Sequence, residues 1–346
     1  MAGKSTLFNP PPNDPSKSLI ENLLELTDTS IIEPDLFTNT RPLWHPPGAR
    51  GIYGGAIIAQ CLAAAYKTVP ENFDVHSLHC YFVLAGDSKF PVMYHVERVR
   101  DGRSFATRTV QARQRGICIF TTSISFVREN SGGKHTIQHA LPLPKGVKKP
   151  SDDCNLNKVY TSDNNPFITY HDTNYDQQEK KIHEKKVKHW MKAKGDISEA
   201  GGHQAHLIAL AYISDSHFLG TVTVIHDYFK YPSNEKKGFI RKLDNSGDPV
   251  KVHQVGVDLQ NGSKEHKSPF ELGMLVSLDH TIYFHEPRKF KADEWMLFDM
   301  ASPWSGQGRG VVMQHIFTAD GTLIATCHQE GILRLSKPKS LKDSKL

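Results

Sequence analysis

Apolar positions recur at helical spacing once in each half of the chain, and alternating runs follow each time. In AIIAQCLAAAYKTV (56–69), Ile57, Ile58, Cys61, Leu62 and Ala65 share one helical face, and Pro70 ends the segment. So many alanines predict close approach by other backbone, hence a buried helix rather than a surface-amphipathic one. The run HSLHCYFVL then alternates, with Leu78, Cys80, Phe82 and Leu84 on one face. PVMYHVERVRDGRSFATRTVQARQRGICIFTTSISF predicts three more strands, with turns at Asp101-Gly102 and Arg115-Gly116. The second half repeats the pattern: a helix over HQAHLIALAYISDSHFL (203–219), then SLDHTIYFHEP, EWMLFDMAS, GRGVVMQHIFTADG and TLIATCHQEGILRL. A glycine pair precedes each helix, Gly54-Gly55 and Gly201-Gly202. Upstream, ENLLELTDTS (21–30) reads as a short helix or a lead-in and DLFTNT (35–40) as a strand; KVKHWMKAKG (186–195) takes the matching place in the second half.

One helix followed by an antiparallel meander predicts a sheet wrapped around that helix, the hotdog arrangement. Two copies in one chain predict an α+β double hotdog. The expected organisation is a disordered Pro-rich segment at 1–17, a first repeat at 18–130 and a polar connector at 131–182. A second repeat follows at 183–336, with a polar insertion at 226–268, and a tail at 337–346. EKKIHEKKVK (179–188) reads as a solvated charge run.

Composition narrows the chemistry. The net charge of +5 is mild for 346 residues, and no Lys/Arg stripe interleaves with aromatics, so nucleic acid is not an expected partner. No stretch approaches the roughly 20 apolar residues of a membrane span. Five scattered cysteines without a CxxC pair predict reduced, mostly buried thiols. Neither a G-x-S-x-G elbow nor a complete dinucleotide or phosphate-loop fingerprint is present. His76/His79 and His280/His285 fall on opposite faces of strands, and His203/His206 lack a third ligand, so no metal or cofactor is expected. The chain ends in Ser344-Lys345-Leu346, a receptor-read peroxisomal address on a polar tail, which predicts an import receptor as partner and the peroxisomal matrix as location.

The segments SDSHFL, SLDHTIYFHEP and HQEGILR, with GGAIIAQ and HSLHCYFVLAGDSKFPVMYHVERVRDGRSFATR in the first half, resemble the type II acyl-CoA thioesterases, which include peroxisomal enzymes of eukaryotes. The resemblance runs from about residue 19 to 335, apart from the connector and the insertion. It implies a double hotdog that hydrolyses acyl-CoA to free fatty acid and coenzyme A, with a water held by Asp215, Ser277 and Gln329. It also implies a homo-oligomer, because hotdog sheets often continue across subunits. Cationic residues are expected near the coenzyme A phosphates, with Arg103, Arg108 and Arg309 as candidates. Two other functions stay open: a hotdog enoyl-CoA hydratase, for which His217 lies two residues from Asp215, and a non-catalytic acyl-CoA-binding protein.

Each site residue also has a structural reading. Asp215 can terminate its helix, Ser277 can be an ordinary strand-start hydroxyl, and Gln329 can pair with a structural partner. Alternation places Gln329 with Leu323, Ala325, Cys327 and Leu333, where an unpaired amide costs about 1–3 kcal/mol. The same rule places Ser277 with Asp279 and Thr281, opposite Leu278, Ile282 and Phe284, so a bulge, a loop or a neighbouring subunit must complete the site. Superimposing the glycine pairs sets Asp215 opposite Thr68, whereas matching Ala-Tyr sets it opposite Val69; Gln329 falls opposite Ser123 or Ile124, and Ser277 opposite Ser77. The first copy lacks the acid and the amide, which predicts one catalytic set per chain.

Overall fold

The computed structural model describes residues 10–46, 49–151, 159–160, 165–171, 181–228 and 270–336. The first half comprises α1 (Leu19–Leu24), β1 (Leu26–Asp28), β2 (Leu36–Asn39), α2 (Gly54–Tyr66), β3 (Phe73–Phe82), β4 (Met93–Asp101), β5 (Phe105–Gln114) and β6 (Ile117–Arg128). The second comprises β7 (Val159–Tyr160), β8 (Phe167–His171), β9 (Lys186–Ala193), α3 (Gly202–Ser214), α4 (Gly220–Ile225), β10 (Glu271–Ser277), β11 (Asp279–Phe284), β12 (Met296–Gly306), β13 (Arg309–Thr318) and β14 (Leu323–Ser336).

The strands form one antiparallel sheet in the order β1-β2-β4-β5-β6-β3-β11-β14-β13-β12-β9-β8-β7, with β10 pairing onto β14. Reading outward from the central β3–β11 pair, the two halves carry matching strands in matching order, with β7 as an additional strand at the outer edge of the second half. Cys80 faces His280 across that seam. Helices α2 and α3 pack against each other, and their apolar side chains join one core that runs through both halves. With the sheet on one side and α3 on the other, α2 has almost no solvent face, as its alanines imply. Each helix wrapped by its own strands is a hotdog, and the pair forms a double hotdog.

Several boundaries differ from the sequence reading. Residues 10–17, expected to be disordered, are tied down: Arg41 Nη2 donates to Pro12 O at 2.9 Å, and Asn22 Nδ2 to Asp14 O at 3.0 Å. The polar connector hides β8, whose Phe167, Thr169 and His171 are buried as it pairs with β9. Leu84 is exposed rather than in the core. The second helix stops at Ser214, not 219: Ser216 N–H turns back to Ile213 O at 2.9 Å, and His217 sits at φ 58°. Asp215 is therefore the helix cap, and the short α4 was not anticipated. The insertion beyond residue 228, Cys154 and the tail with Ser344-Lys345-Leu346 lie outside the described residues. Cys61, Cys80, Cys118 and Cys327 are free thiols. Among the described residues no helix is long and apolar enough to cross a membrane.

Candidate active site

Asp215, Ser277 and Gln329 meet at the C-terminal end of α3. Gln329 is buried on β14, while Asp215 and Ser277 keep partial solvent access. The Gln329 amide nitrogen donates to Ser277 Oγ and lies 3.3 Å from Asp215 Oδ1. Its oxygen accepts from His280 Nδ1 at 2.8 Å, so both ends of the buried amide are satisfied.

Ser277 reaches this face because the strand bulges. Along β10, Ser277 pairs with Gly331; along β11, Thr281 pairs with His328, one residue out of step. Leu278 N–H takes Glu330 O at 2.9 Å, and Asp279 Oδ1 accepts Glu330 N–H at 2.7 Å, so two residues oppose Glu330. The extra residue reverses the alternation. Leu275 and Ser277 thus face the same way as His280, Ile282 and Phe284, which removes the conflict in the simple alternating pattern without a second subunit.

The acid sits between the two copies of the repeat. Gly55 N–H, at the N-terminus of α2, hydrogen-bonds the Asp215 carboxylate. A Cβ at Gly54 would stand 2.9 Å from Asp215 Oδ2, and one at Gly55 would overlap the Tyr212 carbonyl oxygen. The glycine pair is therefore what lets the positive end of α2 approach the C-terminal end of α3 so closely. Burial raises the Asp215 pKa to about 7, and the hydrogen bonds from Gln329 and Gly55 only partly offset it. Tyr53 closes one side, donating to Tyr212 O at 3.0 Å; burial and the Asp215 charge keep it a neutral phenol.

His217 does not complete an Asp/His pair with Asp215. Its ring centroid is 5.4 Å from that of His171 on β8 and 5.1 Å from that of His189 on β9, and burial lowers its pKa to about 4.

The bulge also corrects the alignment of the copies. In β3, Val75 pairs with Phe126 but Ser77 with Ser125, so an equivalent bulge lies at His76. Matching the bulges sets Ser277 opposite Val75, not Ser77. His280 falls opposite Leu78, and Gln329 opposite Ile124, consistent with Ile124 pairing Arg108 as Gln329 pairs Val312. In the first copy buried Thr68 follows just beyond the end of α2, and Arg108 fills the space: its Nε donates to Thr68 Oγ1 at 2.8 Å, and its Nη2 to Thr68 O at 2.9 Å and Asp101 Oδ1 at 2.5 Å. Fully buried and fully bonded, Arg108 is no candidate for a coenzyme A phosphate. Arg103 is exposed, and Arg309 is a surface residue paired with Glu330 at 2.7 Å.

The sequence reading overlooked His280, Asp279, Tyr53 and the Gly55 amide. His280 had a signal: alternation sets it on the buried face with Ile282 and Phe284. The other three depend on contacts with distant segments.

Comparison with known proteins identifies the family. Residues 41–127 match the family described as the acyl-CoA thioesterase N-terminal domain, and residues 149–333 the one described as its C-terminal domain. The chain is 35% identical to human acyl-coenzyme A thioesterase 8, over 97% of this chain and 94% of that one. It is 24% identical to the peroxisomal acyl-coenzyme A thioester hydrolase 1 of Saccharomyces cerevisiae, over 94% and 98%. The crystal structure of acyl-CoA thioesterase II TesB2 from Mycobacterium marinum superposes with a TM-score of 0.63 at 27% identity, covering 93% of this chain and 98% of that one.

Proposed function

The chain belongs to the type II acyl-CoA thioesterase family and hydrolyses acyl-CoA, and from that premise we propose that Asp215, Ser277 and Gln329 hold and activate the attacking water. The observation that carries the reading is the single Gln329 amide linking Asp215 and Ser277. Ser277 accepts from that amide, which leaves its own proton free to orient a water. Asp215, with a pKa near neutrality, is suited to take the water's proton as its oxygen attacks the thioester carbonyl. The N-terminus of α2 lies beside the carboxylate, where its positive end favours the developing oxyanion. Collapse of the tetrahedral species breaks the C–S bond, and the proton on Asp215 passes to the departing coenzyme A thiolate. The products are a free fatty acid and coenzyme A, and no covalent acyl-enzyme forms.

We place the activity in the peroxisomal matrix. Support comes from Ser344-Lys345-Leu346 and from the peroxisomal thioester hydrolase among the relatives.

Thiol release from acyl-CoAs of graded length tests the site. Ser277→Ala and Gln329→Ala should each lower kcat with the fold intact; wild-type rates in both would remove them from the reaction. An N-terminal fluorescent fusion should enter peroxisomes, and the same fusion lacking residues 344–346 should not. Identical distributions would rule out the address.

A further inference from the structure

Gln329 is useful to Asp215 and Ser277 only if its nitrogen, not its oxygen, faces them. The two ends of an amide have nearly the same shape, so packing alone does not choose between them. Ser277 cannot choose either, because a hydroxyl donates or accepts. Asp215 chooses only while ionised; once protonated it can donate to the amide oxygen. Both of its protonation states are populated near neutral pH.

We propose that His280 is a positioning residue that holds the Gln329 amide with its nitrogen toward Asp215 and Ser277. The proposal rests on the reading of Gln329 as a water-holding residue. His280 Nδ1 lies 2.8 Å from Gln329 Oε1, and Nε2 lies 3.1 Å from Ser214 Oγ. A neutral imidazole carries one proton. Ser214 Oγ lies 2.9 Å from Ala211 O and 3.1 Å from Nε2, so its one proton has both as acceptors; turned to Nε2, it sets the imidazole proton on Nδ1, where it can only be donated, and only to the oxygen end of the amide. Burial holds the ring neutral, with a pKa of about 4. Phe218 packs against the ring at a centroid distance of 5.5 Å, and the histidine is fully buried, so the donor has a fixed direction.

The chain contains its own control. At the matched positions of the first copy stand Leu78 and Ile124, both buried. The same bulged strand pair therefore closes around two apolar side chains. A buried histidine–glutamine pair is not required by the fold and occurs in the copy that carries the acid.

The test compares His280→Phe, His280→Asn, Gln329→Ala and the double variant His280→Phe/Gln329→Ala by acyl-CoA thiol release across pH. His280→Phe should lower kcat by about tenfold to a hundredfold, the worth of one strong buried hydrogen bond, with KM little changed. Its acid limb should move to higher pH, because the Gln329 hydrogen bond that favours ionised Asp215 is loosened. His280→Asn supplies an amide N–H near the Nδ1 position and should recover most of the rate. The double variant should be no slower than Gln329→Ala alone. Should His280→Phe fail to fold, Ser214→Ala replaces it. That change frees the tautomer and should lower kcat and raise the acid limb in the same direction.

Wild-type kcat in His280→Phe, or in its substitute Ser214→Ala, would overturn the proposal. So would equal losses in the Phe and Asn variants, or additive losses in the double variant. If Gln329→Ala itself keeps the wild-type rate, the water-holding reading fails with it. A slow Gln329→Ala beside an unimpaired His280→Phe sinks the positioning role alone.

Discussion

Asp215→Asn separates what the carboxylate does for the reaction from what it costs the fold. Asparagine keeps the shape and an oxygen that can accept from Gln329 Nε2 and Gly55 N–H, but it carries no charge. In the native protein the pKa of Asp215 rises from 3.8 to about 7, burial being the largest cause. A raised carboxyl pKa means that the native state holds the proton more tightly than the unfolded chain. The penalty is absent below pH 3.8, grows as pH rises, and is complete above pH 7. Three pKa units at 1.36 kcal/mol each correspond to about 4 kcal/mol. That is an upper figure, since the carboxylate keeps partial solvent access. Equilibrium urea unfolding at pH 5, 6.5 and 8 should show the asparagine variant gaining on the wild type as pH rises, then levelling above pH 7. Thiol release at pH 8 should fall by about 10²–10⁴-fold, the range for a general base. The wild-type kcat/KM should show an acid limb near pH 7. A stability difference that does not change with pH, or a variant less stable than wild type at pH 8, would refute the burial argument. Activity within tenfold of wild type would refute the base.

Three further substitutions probe the scaffold. Gly55→Ala places a methyl against the Tyr212 carbonyl and 2.6 Å from Tyr53 Cε1, so α2 must back away; urea midpoint and kcat should both fall, and a neutral result would contradict the close approach. Asp279→Ala removes the acceptor of Glu330 N–H, and kcat should drop by about tenfold for the loss of about 1.5 kcal/mol of hydrogen bonding; combined with Ser277→Ala it should add little, whereas full additivity would uncouple the bulge from the serine. Arg108→Met empties the first-copy cleft of its cation and should destabilise by about 3 kcal/mol in urea while kcat per folded molecule stays at the wild-type value; a selective loss of kcat would give the first copy a catalytic part.

Much of this protein is written in local pattern. Periodicity located α2, β3 and the strands that follow, because a helix face and an alternating strand are properties of consecutive residues. The duplication and the double hotdog were legible for the same reason, whereas Asp215, Ser277 and Gln329 were singled out by the family resemblance of their segments, and with them the absence of an acid and an amide in the first copy. The tertiary structure decided which way these residues point and what they meet. Alternation assigned Ser277 to the wrong face and paired it with Ser77, since a bulge depends on hydrogen bonds from a partner strand, here those of Glu330 on β14 with Leu278 and Asp279. Arg108 looked like a ligand for phosphate until Thr68 and Asp101 enclosed it. The acid belongs to the second copy, yet the helix end that faces it belongs to the first. The Gly55–Asp215 contact spans the chain, and only the packing of α2 against α3 creates it.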